Sequence, residues 1–368
     1  PDTAAGYVLE RPGSSDRAGA EAVASGLGGL PLALGHAAAY VARSGCSFDE
    51  YLKRLVGLPA QEMFGQDPVR AYEETVASTW LPSIIEADRR APGATEVLDV
   101  AAHLAPDAIP RILLVSPTDD TSEAKRRDDA LGALVELSLL TRTADGRRMD
   151  VHRLVQKVVQ DRHGEQPAAA AVEALERIVA VWPPDSARAE TWPVCASLYP
   201  HLEHVARFFT LPDEHSETLV GALNAASFWL FGAVPDFVEH ATWAYDMAQR
   251  LLGGEHPLTL TALDRLAASY QWAGRNGEAT PMFEHVAVES MRLLGSDHPA
   301  TLIARANLAV SYQVAGRTDQ AIALQEALVA DRERVFGAGH SSTLTARANL
   351  AFSYGEAGRT DEALALGE

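Results

Sequence analysis

Over the last two-fifths of the chain the apolar and polar positions follow one pattern three times: "GGEHPLTLTALDRLAASYQWAGRNGEA", "GSDHPATLIARANLAVSYQVAGRTDQA" and "GAGHSSTLTARANLAFSYGEAGRTDEA". His256, His298 and His340 recur every 42 residues, and Tyr270, Tyr312 and Tyr354, Gly274, Gly316 and Gly358, and Ala279, Ala321 and Ala363 keep that register. Such a period marks stacked units, each one supersecondary element that buries its apolar face on its neighbours. Helix A of each unit is predicted to open after the loop histidine, with Pro257 or Pro299 in the first turn, where a missing N–H costs nothing. It is predicted to close at Gly274, Gly316 or Gly358, since glycine takes the left-handed cap cheaply. Helix B follows at once. Leu308, Ala309 and Tyr312 fall at helical spacing and should pack on helix B, with the small Ala309 and Ala321 letting the backbones approach.

Phe228 and Gly232 lie 42 residues before Tyr270 and Gly274, so a degenerate fourth unit is expected and the array should begin near Thr218. The Leu-Ala-x-x-Tyr and later Ala pattern resembles tetratricopeptide repeats with a lengthened loop, and "HPxTL…NLAxSYxxxGRxxEA" resembles the repeats of kinesin light chains. Proline is lost at Ser341 in the last copy. The sequence stops at Glu368 inside a helix B, which leads us to expect an array of about three and a half units cut at that end.

Upstream, the pattern predicts helices with one interruption. Asp16 to Gly45 reads as a helix, a break at Gly28-Gly29, and a second helix from Pro31. Further helices are predicted over Tyr72–Ala87, Thr95–His103 and Ser122–Leu140, then a hairpin and a last helix. Asp145-Gly146 in "LLTRTADGRRMDVHRLVQ" is a favoured tight-turn pair between two short extended runs.

Composition narrows the class. The chain has 368 residues, 47% hydrophobic and 7% aromatic, enough for two to four domains. No apolar run reaches the ~18 residues that span a bilayer. Cys46 and Cys195 cannot make a disulfide framework and fit a reducing compartment, so the cytoplasm is expected. Pro1 stands where Met would, with no leader after it, so the N-terminus is expected to be cut. A formal charge of −19 disfavours nucleic acid.

Catalytic motifs are missing: the sequence has no G-x-x-x-x-G-K-[ST], H-E-x-x-H, C-x-x-C or G-x-S-x-G. Neither enzyme activity nor a cofactor is therefore expected of the isolated chain. Cys195, His201 and His204 could be drawn together as a metal site, but a fourth ligand is not evident, and "WPVCASLYPHLEHV" reads better as a bridging helical segment.

"GLGGLPLALGHAAAYVARSG" closely resembles the GLPLAL motif of the NB-ARC family, the nucleotide-binding module of STAND signalling ATPases, where the motif's proline packs near the adenine; Pro31 is the match. Helices followed by a hairpin wing resemble that family's winged-helix domain. "VHRLVQ" stands where the family carries its MHD motif, whose histidine touches the β-phosphate of ADP; His152 is the match, although Arg153 replaces the aspartate. The resemblance implies an ADP/ATP switch completed by a P-loop domain before Pro1, and it leaves a homo-oligomer on activation open. The same residues also suit a plain helix-loop-helix at Pro31 and an ordinary helix start at His152.

The expected architecture is all-α with a small β-wing: an NB-ARC-like helical domain (1–65), a winged helix (66–165), a helical connector (166–216) and a right-handed tetratricopeptide superhelix (217–368). A non-switching repeat scaffold is an alternative. A DNA-binding regulator is a weaker one, since nine Lys and Arg against eight acids between Thr121 and Glu165 make no phosphate footprint.

Between the three repeats, variation concentrates on one face of helix A: Thr261, Arg265, Ala268 and Trp272, then Ile303, Asn307, Val310 and Val314, then Thr345, Asn349, Phe352 and Glu356. In tetratricopeptide arrays helix A lines the concave side, so these residues are expected to floor a groove for a protein or peptide ligand. Asn307 and Asn349 would offer donors and acceptors, Trp272 and Phe352 apolar anchors. Ordinary solvent-facing surface, or packing on the protein's own domains, would explain the same variation.

Overall fold

The computed structural model describes residues 16–26, 34, 37, 38, 41, 46–57, 83–116, 120–162, 168–186, 188–233 and 236–366. The chain divides into two compact units, 1–185 with 190–212, and 186–189 with 213–368.

The first unit begins with α1 (Arg17–Gly26) and α2 (Phe48–Gly57). Helical residues 83–90 precede α3 (Ala94–His103), which is buried on all sides from Val97 to His103 except at Asp99. Short β1 (Ile109–Pro110) and α4 (Arg111–Leu114) lead to α5 (Thr121–Glu136). Asp120 starts α5 by accepting the N–H groups of Ser122 and Glu123 at 2.8 and 2.9 Å. The predicted helix to Leu140 stops four residues early: Ser138 takes φ 57° and Leu139 N–H returns to the Leu134 carbonyl at 2.9 Å, a Schellman end built on serine. Leu140 belongs instead to β2 (Leu140–Arg142), which turns through Asp145-Gly146 into β3 (Arg148–Val151). Gly146 sits at φ 69°, and Asp145 holds the turn through Thr143 Oγ1 and Arg147 N–H.

The sheet order is β1-β3-β2, antiparallel throughout, with Ile109 opposite Met149 and Leu140 opposite Val151. After it come α6 (Arg153–Arg162), α7 (Ala168–Val181) and α8 (Trp192–Phe208). Gln156 and Gln160 of α6 donate to the Leu104 and Ala102 carbonyls at 2.8 and 2.6 Å, which closes the C-terminal end of buried α3. Of the segment expected as a connector, α7 and α8 lie in this unit, with α7 against α3 and α8 against α7 and β1.

The second unit is helical among the described residues: α9 (Ser216–Ala233), α10 (Phe237–Leu252), α11 (Pro257–Trp272), α12 (Asn276–Leu294), α13 (Pro299–Val314), α14 (Thr318–Phe336), α15 (Ser341–Glu356) and α16 (Thr360–Ala365). Each helix from α11 to α15 packs on the next. Ala267, Ala309, Ala279 and Ala321 are fully or almost fully buried, so small side chains sit where the backbones approach. Among the described residues, no helix is long and apolar enough to cross a membrane.

Candidate functional site

The helix-A face depends on how firmly each repeat holds its helix. His256, His298 and His340 cap α11, α13 and α15, Nδ1 accepting the N–H of Leu258, Ala300 and Ser342 at 3.2 Å in every case. Thr259, Thr301 and Thr343 are buried and donate to carbonyls of the preceding helix B at 3.3, 3.0 and 3.3 Å. At the other end, Gly274, Gly316 and Gly358 take φ 75°, 72° and 74°. Arg275, Arg317 and Arg359 then return their N–H to the carbonyls of Tyr270, Tyr312 and Tyr354, each at 2.8 Å. The same arginines stack on those tyrosine rings at 4.1, 4.0 and 4.2 Å. Tyr312 and Tyr354 donate back to Glu284 and Glu326 of the previous helix B at 3.0 and 2.7 Å, so neighbouring repeats are locked together. These devices were written in the 42-residue register, but the stacking and back-bonding partners lie on other positions of the unit.

On this frame stand the face residues. Trp272 is 74% exposed, Phe352 64%, Ile303 51% and Val314 50%. Thr261, Arg265, Ala268, Asn307, Val310 and Asn349 are half-buried, and Thr345 and Glu356 exposed. One connection crosses repeats on this face: the Asn307 amide donates to both carboxylate oxygens of Asp264 at 2.9 Å. One N–H of the amide can serve both oxygens, so Asn307 keeps its other N–H and its carbonyl to offer elsewhere. Burial pushes the Asp264 carboxyl up, against the pull of Asn307 and Arg265, and pushes the Arg265 guanidinium down; the two charges lie 3.8 Å apart. The next two repeats have Ala306 and Ala348 where the first has Asp264.

In the first unit, His152 follows β3 and caps α6, its Nδ1 accepting Leu154 N–H at 3.2 Å while Nε2 lies buried. Arg153 pairs with Asp107 at 4.0 Å. Pro31 lies outside the described residues, but Leu34, three positions on, shares a buried core with Val23, Phe48, Tyr51 and Leu154. The sequence singles out His201 and His204, with Cys195, but not His103, whose ring lies near enough to act on His204. His103 is buried with its ring 4.6 Å from Phe209, and His204 lies 4.7 Å from Phe208 and 5.8 Å from Phe209. Burial pushes His201 down to about 4 despite a hydrogen bond to the Ala108 backbone, and burial with the nearby His201, Arg153 and His103 brings His204 to about 4. Buried Cys195 has its thiol pushed up by burial, and among the described residues no His, Cys, Asp or Glu group is arranged to hold a metal ion.

A tetratricopeptide-repeat family model matches residues 262–326 and 301–368. The C-terminal unit carries tetratricopeptide repeats. A second family model, a domain of unknown function (DUF7779), matches residues 85–167, upstream of the tetratricopeptide array. A nucleotide-binding leucine-rich repeat (NLR)-like protein of Hyaloscypha variabilis is 27% identical over 252 residues, 64% of this chain and 24% of its own length. The chain thus spans about a quarter of that relative. Among solved structures, tetratricopeptide-like repeats from Podosopora anserina, described as a kinesin light chain, are 26% identical over 52% of this chain and 90% of theirs, with a TM-score of 0.43. BtubC (BKLC) from P. vanneervenii is 17% identical over 56% of this chain and 82% of its own, with a TM-score of 0.45.

Proposed function

We propose that this chain is the regulatory and sensing region of a nucleotide-switched STAND signalling protein, in which the repeats bind a protein or peptide ligand or hold the protein autoinhibited. The NLR-like relative carries this reading: its 252 aligned residues cannot be supplied by 262–368 alone, so the likeness extends upstream of the matched repeats. The region around β2 and β3 acts in this reading as the winged helix, and Pro31 and His152 belong to one ADP pocket completed by an upstream P-loop domain. The residues present fit that role. Capping α6 fixes His152 Nδ1 as an acceptor, so the proton of the neutral ring sits on Nε2, the tautomer that a phosphate contact through that nitrogen requires. The core that Leu34 shares with Leu154 joins the helical region that follows the GLPLAL-like string to the start of α6. ADP supplies the negative charge that would hold the closed state, and any hydrolysis of ATP belongs to the P-loop domain. The setting is the cytoplasm.

In the full-length protein, His152→Ala should weaken ADP retention or give signalling without a trigger. Unchanged nucleotide content together with unchanged resting activity would overturn the reading. Calorimetry on the chain alone should detect no ATP or ADP binding, since the phosphate cradle lies elsewhere.

A further inference from the structure

The charges of the array restrict what its helix-A face can receive. Residues 213–368 hold twenty Asp and Glu, ten Arg and no Lys. Nine of the ten arginines are engaged within the fold. Eight pair with carboxylates, as Arg305 does with Asp331 at 2.6 Å and Arg317 with Glu284 at 2.9 Å. Arg332 donates to the carbonyls of Ser342 and Leu302. The tenth, Arg250, rests on the Met247 sulfur in α10, outside the helix-A face. The surplus is therefore negative and available: Asp236, Glu239, Asp246, Asp319, Glu356 and Asp361 are exposed and in no ion pair among the described residues.

The face itself shows the same asymmetry. Its one cation, Arg265, is 18% exposed and tied to Asp264. Glu356, on the third helix of the face, is exposed one helical turn beyond the exposed Phe352. A ligand carboxylate would have to pull Arg265 from a carboxylate that is itself buried and held by Asn307. A ligand cation meets Glu356 and a surrounding negative field that draws it in.

We propose that the helix-A face takes a basic peptide, one that seats apolar side chains on Trp272, Val314 and Phe352 and presents a lysine or arginine to Glu356. This rests on the reading of that face as a ligand surface. The probe is a random peptide library displayed on phage and panned on the full chain at physiological salt, each enriched peptide then being synthesised and its affinity measured. Enriched peptides should be net basic and aromatic or aliphatic, and should lose binding to Trp272→Ala and Phe352→Ala. They should weaken about threefold against Glu356→Lys and weaken further as salt rises. Peptides that need Trp272 and Phe352 yet are acidic or neutral, or that ignore Glu356→Lys, would overturn the basic-ligand inference while leaving the ligand surface standing. A library that gives no binder, or binders indifferent to Trp272→Ala and Phe352→Ala, would overturn both.

Discussion

The two units of this chain are stabilised in opposite ways. In the array, each device occurs three times at fixed spacing: a histidine cap, a buried threonine, a left-handed glycine, an arginine stacked on a tyrosine. In the first unit each device occurs once, and its partners come from distant parts of the sequence. Ile109 pairs with Met149, Gln156 closes the end of α3, and His201 bonds the backbone at Ala108. A lesion in the array should therefore be local and shared between neighbours, whereas a lesion in the first unit has no second copy to share it.

The largest effect is expected in the first unit. Leu134→Ala, at a fully buried position between α5 and its neighbours, should cost about 2–5 kcal/mol, read from denaturant unfolding. Loss of the first unit with an intact array signal by circular dichroism would sharpen the comparison; one cooperative transition for the whole chain would break it. Acid should separate the units next. His201 and His204 sit near 4 in the fold against an ordinary 6.5, so the fold favours their neutral forms. That stability is full above pH 6.5 and is lost as pH falls from 6.5 toward 4, by up to about 3 kcal/mol from the almost fully buried His201. Asp264 in the array works the other way, since its raised carboxyl favours the protonated fold as pH falls. Thermal melts across this window should show the first unit failing first, and His201→Phe should flatten the dependence; equal sensitivity of both units would contradict it. Within the array, Gly316→Ala places a side chain at φ 72° and should cost about 1–2 kcal/mol. Gly277→Ala, in helical backbone with open space around its Cβ, should be neutral or slightly stabilising. Thr301→Val, which deletes one buried hydrogen bond, should cost about 1 kcal/mol.

The same contrast explains what the sequence could reveal. Helix ends in the array were legible because His298, Pro299 and Gly316 are local signals repeated in register. The hairpin was legible from Asp145-Gly146. What escaped was non-local or borrowed. β1 is two residues long and exists only because β3 lies beside it. Ser138 ends α5 with a conformation usually left to glycine, so nothing in its residue type announced a stop. The pairing of Asn307 with Asp264 was hidden because Asp264 departs from the repeat at that position, and Asn307 looked like a free ligand contact. That pairing also matters for experiment. Asn307→Leu would leave the buried Asp264 carboxyl without its donor and so perturb the fold, whereas Trp272 and Phe352 are exposed and can be truncated with little effect on it.

The central claim, that the helix-A face is the recognition surface, is tested most directly with the Trp272→Ala, Phe352→Ala double variant of the full chain. Its fold would be confirmed by circular dichroism, and its affinity for cellular partners measured by quantitative pull-down against the wild type. The account predicts a loss of about tenfold or more, as expected when exposed aromatic anchors are removed from an interface. Retention of every partner at wild-type affinity would contradict it.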